Sequence, residues 1–110
     1  APPLAAADLA AALTEPGAPL VVDVREDAEV RDGMIEGALH VPLGELRADP
    51  DAVAARLRDA AHGGRIAVVC RSGVRSREAA ALLGGRGLDA ISLDGGMLAW
   101  TGAVVQGVAS

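Results

Sequence analysis

Cys70 is the chain's single cysteine, and it stands between an apolar segment and a run of small and basic residues. Arg65-Ile66-Ala67-Val68-Val69-Cys70 reads as a buried strand, Arg71-Ser72-Gly73-Val74-Arg75-Ser76 as a tight loop, and Ser76 to Leu83 as a helix. A thiol placed at the end of a strand, under a loop that runs into a helix N-terminus, meets backbone N–H groups and the positive end of a helix dipole. Both favour the thiolate. Gly73 tolerates positive φ, so the loop can curl and turn successive N–H groups inward as an anion nest. Arg71 and Arg75 are expected to hold the oxygens of an incoming anion. Ser72 or Ser76 can donate one hydrogen bond more, and Ser76 could equally cap its helix. A lone cysteine after an apolar strand is by default a buried, inert thiol. The Arg-Ser-Gly-Val-Arg-Ser run reverses that default, because an inert core cysteine does not need it.

Loop length separates two chemistries. Cys70 and Arg75 are spaced C-x4-R. Cysteine phosphatases use C-x5-R, a wider cradle for a tetrahedral phosphate. The shorter loop suits attack on a smaller centre such as a sulfane sulfur. It also disfavours a phosphatase or an arsenate reductase, and the absence of a second cysteine weighs against an internal resolving disulfide.

The elements that must position this loop follow from patterning. Apolar runs at Leu20–Val24, Ile66–Cys70 and Ala90–Leu93, with a weaker one at Ala38–Val41, read as strands. Helical stretches lie at Ala5–Leu13, Asp27–Arg31, Asp51–Ala61 and Ser76–Leu83, with a final turn at Met97–Trp100. Pro50 and Gly63-Gly64 punctuate the third of these. Strands alternating with helices predict parallel βαβ units in a small three-layer α/β domain, with wholly apolar strands because both sheet faces are covered. Ligands bind at the C-terminal ends of such strands. Cys70, Asp23 to Glu26 and Asp94-Gly95-Gly96 all fall there.

The chain's 110 residues form one expected domain, 1–110, with a loose tail over 101–110. The core must be aliphatic, since 51% of residues are hydrophobic and Trp100 is the sole aromatic side chain. All 10 basic residues are arginine, and the net charge of −5 argues against nucleic acid or anionic membrane as partner. No apolar run approaches spanning length and no signal-peptide pattern is present, so a reducing cytoplasm is the expected location. One cysteine makes neither a disulfide nor a cysteine-rich metal site, and no histidine cluster suggests a metal; no cofactor is expected.

The remaining polar residues carry structural readings. Asp23 and Arg25 are expected to form an ion pair or turn hydrogen bonds, and Glu26, Asp27 and Glu29 a solvated or helix-start acidic cluster. His40 reads as a satisfied core or rim residue, His62 as a helix C-terminal residue, Trp100 as a packing anchor, and Gly95-Gly96 as a tight turn close to the loop.

Four segments together resemble a single-domain rhodanese. They are Leu20-Val21-Val22-Asp23-Val24-Arg25-Glu26, then Ile35-Glu36-Gly37-Ala38-Leu39-His40-Val41-Pro42-Leu43, then Cys70 to Ser76, then Leu93-Asp94-Gly95-Gly96-Met97-Leu98-Ala99-Trp100. The resemblance implies a five-stranded, mostly parallel sheet flanked by helices. It implies Cys70 as the persulfide-forming nucleophile and Arg71, Ser72, Gly73, Val74, Arg75 and Ser76 as the substrate-binding loop. The implied activity is transfer of a sulfane sulfur from a small anionic donor such as thiosulfate to cyanide or a thiol. The alternatives are a relay loaded by a cysteine desulfurase and delivering to a partner protein, and a non-catalytic binding module. Ser72 stands where thiosulfate enzymes of the family often carry a second basic residue, and Arg75 is expected to supply that charge. Met34 stands where many relatives have histidine.

Overall fold

A computed structural model describes residues 3–107. Four parallel strands form the central sheet: β1 (Leu20–Asp23), β3 (Leu39–His40), β4 (Ile66–Val69) and β5 (Ala90–Ser92), in the order β3-β1-β4-β5. Helices α1 (Ala6–Ala12), α2 (Asp27–Arg31), α3 (Leu43–Ala48), α4 (Pro50–Ala60), α5 (Val74–Gly84) and α6 (Gly96–Ala99) surround it. A separate antiparallel pair joins β2 (Met34–Ile35) to β6 (Val104–Val105).

The alternation of side chains along each strand makes two cores. Val22, Ile66 and Val68 face Leu46, Val53, Leu57, Ala79 and Leu83, the buried stripes of α3, α4 and α5. Val21, Ala67 and Val69 face Leu9 of α1, with Ile35 and Leu93. Successive residues point to opposite faces, so a strand buried on both must be apolar throughout. All four residues of β4 are buried accordingly.

The expected fifth strand is reduced to one bridge. Leu4 pairs in parallel with Leu93, its N–H donating to Ser92 O at 2.8 Å and its carbonyl accepting from Asp94 N–H at 2.7 Å. Pro3 has no N–H to extend the ladder, and α1 begins at Ala6, so the main sheet ends with four strands. The tail expected to be loose is in part ordered: Val104 and Val105 pair with Ile35 and Met34, and Gly107 N–H donates to Val30 O at 2.9 Å. Residues 108–110 of that expectation lie outside the described residues. Helix α3 had no sequence signal of its own; Leu43 and Leu46 bury one short face beside α4.

Register brings the strand ends level. Asp23 is paired with His40 on one side and Val69 on the other, and Val68 with Ser92. Cys70, Asp23, His40 and Ser92 therefore gather on one rim. Among the described residues no helix is long and apolar enough to cross a membrane.

Candidate active site around Cys70

Cys70 follows the last residue of β4 and is 1% exposed. The loop then turns at Gly73, whose φ of +108° is closed to most side chains, and α5 starts at Val74, two residues earlier than the sequence suggested. That early start places Ser76 inside the first helical turn. It does not cap the helix; its hydroxyl faces the sulfur.

Cys70 Sγ accepts the Gly73 N–H at 3.0 Å and lies 3.4 Å from Ser76 Oγ. Burial pushes the thiol pKa up. The Ser76 hydroxyl and the N–H groups of Ser76, Gly73 and Ser72 outweigh that push, and the thiol lies below its ordinary range. Of the nest expected from the loop, the Gly73 N–H is the donor bonded to the sulfur, with the N–H groups of Ser72 and Ser76 helping to hold the thiol pKa down.

The two loop arginines differ from each other. Arg75 does not stand open to an anion: its guanidinium forms a forked pair with Glu29, at 2.7 and 2.9 Å. The pair holds the Glu29 carboxyl down at about 2, chiefly through the Arg75 hydrogen bond. Arg71 is exposed, and among the described residues its side chain has no hydrogen bond or ion pair. Val74 is exposed.

The loop is held from behind by α6. Met97 N–H donates to Cys70 O at 2.8 Å and Leu98 N–H to Arg71 O at 3.1 Å. Gly95 and Gly96 have φ of +72° and +55°, and a Cβ on Gly96 would collide with the carbonyls of Cys70 and Arg71. The Gly-Gly turn is therefore what lets α6 approach the loop backbone.

Asp23 and Arg25 form the expected structural pair. Arg25 Nη2 donates to Asp23 Oδ2 at 2.8 Å and to Gly33 O at 2.7 Å, with the aspartate 1% exposed. His40 is buried with Nε2 2.7 Å from Arg25 O, a core and rim role. Trp100 packs against the Leu9 core.

Two participants escaped the sequence reading. Ser92 Oγ lies 2.6 Å from Ser76 Oγ, buried behind the sulfur. Its signal was a single hydroxyl in the apolar run Ala90–Leu93. Glu29 lies in the acidic helix start expected of Glu26, Asp27 and Glu29. It closes a capping box with Glu26 and reaches across to Arg75, a contact between residues 46 apart that no local pattern encodes.

The Rhodanese-like domain model matches residues 5–103, and the chain belongs to that family. A protein named Sulfurtransferase from Allochromatium vinosum is 34% identical over 82 residues, covering 74% of this chain and 70% of the relative. The tRNA uridine(34) hydroxylase of Brucella suis is 39% identical over 80 residues; the match covers 72% of this chain but 26% of that enzyme. In structure, the rhodanese-related protein of Thermoplasma volcanium superposes with a TM-score of 0.80 at 31% identity, over 97% of this chain and 100% of that one.

Proposed function

We propose that the chain is a sulfurtransferase that carries a sulfane sulfur on Cys70 as a persulfide. The observation that supports this most strongly is the surroundings of a buried sulfur: the Gly73 N–H donates to Sγ at 3.0 Å, and the Ser76 hydroxyl lies 3.4 Å away, placed to donate once the sulfur is a thiolate. A relative named Sulfurtransferase supports sulfur transfer as the reaction class.

In the first half-reaction the Cys70 thiolate attacks the outer sulfur of a donor such as thiosulfate. A sulfur–sulfur bond forms to Cys70, the bond from the outer sulfur to the sulfonate breaks, and sulfite leaves with that electron pair. The terminal persulfide sulfur then carries the negative charge, and the loop N–H groups are suited to hold it. In the second half-reaction cyanide or a thiolate attacks that terminal sulfur and Cys70 leaves as thiolate. Cys70 is the chain's single cysteine, so the acceptor is external: a small thiol, cyanide or a thiol of a partner protein. A thiol that must stay reduced suits a reducing cytoplasm.

Steady-state kinetics with donor and acceptor varied together test the reading. Parallel double-reciprocal lines, abolished in Cys70→Ser, are expected. Intersecting lines would require a ternary complex and contradict a free persulfide enzyme. Slow turnover with small donors, together with ready loading by a cysteine desulfurase, would move the chain to the relay role.

A further inference from the structure

Charge around the loop is unevenly spent. Arg75 is bound through both terminal nitrogens to both carboxylate oxygens of Glu29. Such a fork is the preferred geometry for guanidinium and carboxylate, and it leaves the pair near zero net charge. Glu29 is itself fixed: its Oε1 accepts the Glu26 N–H at 3.0 Å, and its carbonyl faces the Arg25 guanidinium. Glu26 and Asp27 add negative charge to the same short helix. Arg71 has no such partner among the described residues, and neither has Arg77 of α5, whose Nη2 lies 3.7 Å from where a Cβ on Gly73 would stand.

The apolar surface beside the loop is equally uneven. Val74, the first residue of α5, is 69% exposed, and Leu98, whose N–H holds the Arg71 carbonyl, is 66% exposed. Both belong to segments bonded directly to the loop, and each leaves most of a large apolar residue exposed.

We infer that Glu29 sets donor specificity. By occupying Arg75 it takes one cation beside the loop out of play, and with Val74 and Leu98 this favours sulfane donors that carry a single negative charge on an apolar body over the dianion thiosulfate. This inference rests on Cys70 as the sulfur carrier. The balanced step for an organic thiosulfonate is attack of the Cys70 thiolate on its outer sulfur, formation of the persulfide, and departure of the sulfinate with the broken bond's electron pair.

The test compares loading of Cys70 by thiosulfate, methanethiosulfonate and benzenethiosulfonate. The three donors differ in intrinsic reactivity, so the decisive quantity is how a substitution changes the ratio of their kcat/KM values, from which that reactivity cancels. Glu29→Gln frees the Arg75 charge while keeping the capping-box acceptor, and should raise the thiosulfate to methanethiosulfonate ratio by about threefold to tenfold at low salt. The gain should shrink at high salt. The double variant Glu29→Gln with Arg75→Gln removes the freed charge and should return the ratio to the wild-type value. Leu98→Ala should lower the benzenethiosulfonate to methanethiosulfonate ratio. An unchanged thiosulfate ratio in folded Glu29→Gln, or a raised ratio retained by the double variant, would overturn the inference alone. Failure of all three donors to load wild-type Cys70 would overturn the inference, and the carrier reading falls with it only if a cysteine desulfurase also leaves Cys70 unloaded.

Discussion

The hydroxyls of Ser76 and Ser92 lie 2.6 Å apart in the interior, and through Ser76 the pair reaches Cys70 Sγ at 3.4 Å. A hydroxyl proton rotates to suit its neighbours. With the sulfur as a thiolate, Ser76 O–H turns to it, and Ser92 O–H can donate into the lone pair thus freed. Ser92 is a positioning residue in this arrangement, acting on the sulfur through Ser76. Ser92→Ala should raise the thiol pKa, and Ser76→Ala should raise it further. The pH dependence of Cys70 alkylation checks this. A midpoint unmoved in folded Ser92→Ala would remove Ser92 from the site.

Gly96→Ala should cost about 2–4 kcal/mol of stability, because a positive φ and a collision with backbone carbonyls are imposed together. The colliding atoms belong to Cys70 and Arg71, so the same substitution displaces the loop and should also reduce sulfur loading. Denaturant melts and the loading rate measure the two effects separately.

Asp23→Asn should destabilise by about 3 kcal/mol, since it leaves the Arg25 guanidinium buried without its counter-charge. Both side chains of this pair are almost wholly buried. Its place at the end of β1, next to His40 in register, makes it the fixed floor on which α2 rests. Chemical denaturation of the variant checks the figure; a loss below about 1 kcal/mol, as for an exposed pair, would contradict the structural role.

Acid should act through Glu29. Its folded value is depressed to about 2 from 4.5, so the pair's contribution is complete above 4.5 and is lost as pH falls towards 2. Glu29→Gln lacks that linkage. The melting temperature of wild type should exceed that of Glu29→Gln at pH 7, and the gap should narrow by pH 3. A gap independent of pH would mean that Arg75 does not act on the Glu29 charge.

The parts of this structure that were legible in the sequence are those with a local signature. The run Ile66–Val69 is apolar because both sheet faces are covered, and Gly73 sits where the chain needs positive φ; each could be read from a few adjacent residues. The Gly95-Gly96 turn was legible for the same reason. Helix α3 and strands β2 and β6 were not, because two to six residues carry too little periodicity and form only through tertiary partners. Glu29 and Arg75 make the same point at the site. Each residue alone reads as a surface charge. Only the fold brings α2 against the start of α5 and reveals that the arginine expected to receive an anion is already bound.

The most direct test of the central claim is the intact mass of the reduced protein before and after exposure to a sulfane donor, with Cys70→Ala alongside. The account predicts a gain of one sulfur atom, absent in the variant and removed by cyanide. A wild-type protein that gains no sulfur from thiosulfate, from thiosulfonates or from a cysteine desulfurase would contradict it, and would leave the folded domain as a binding module.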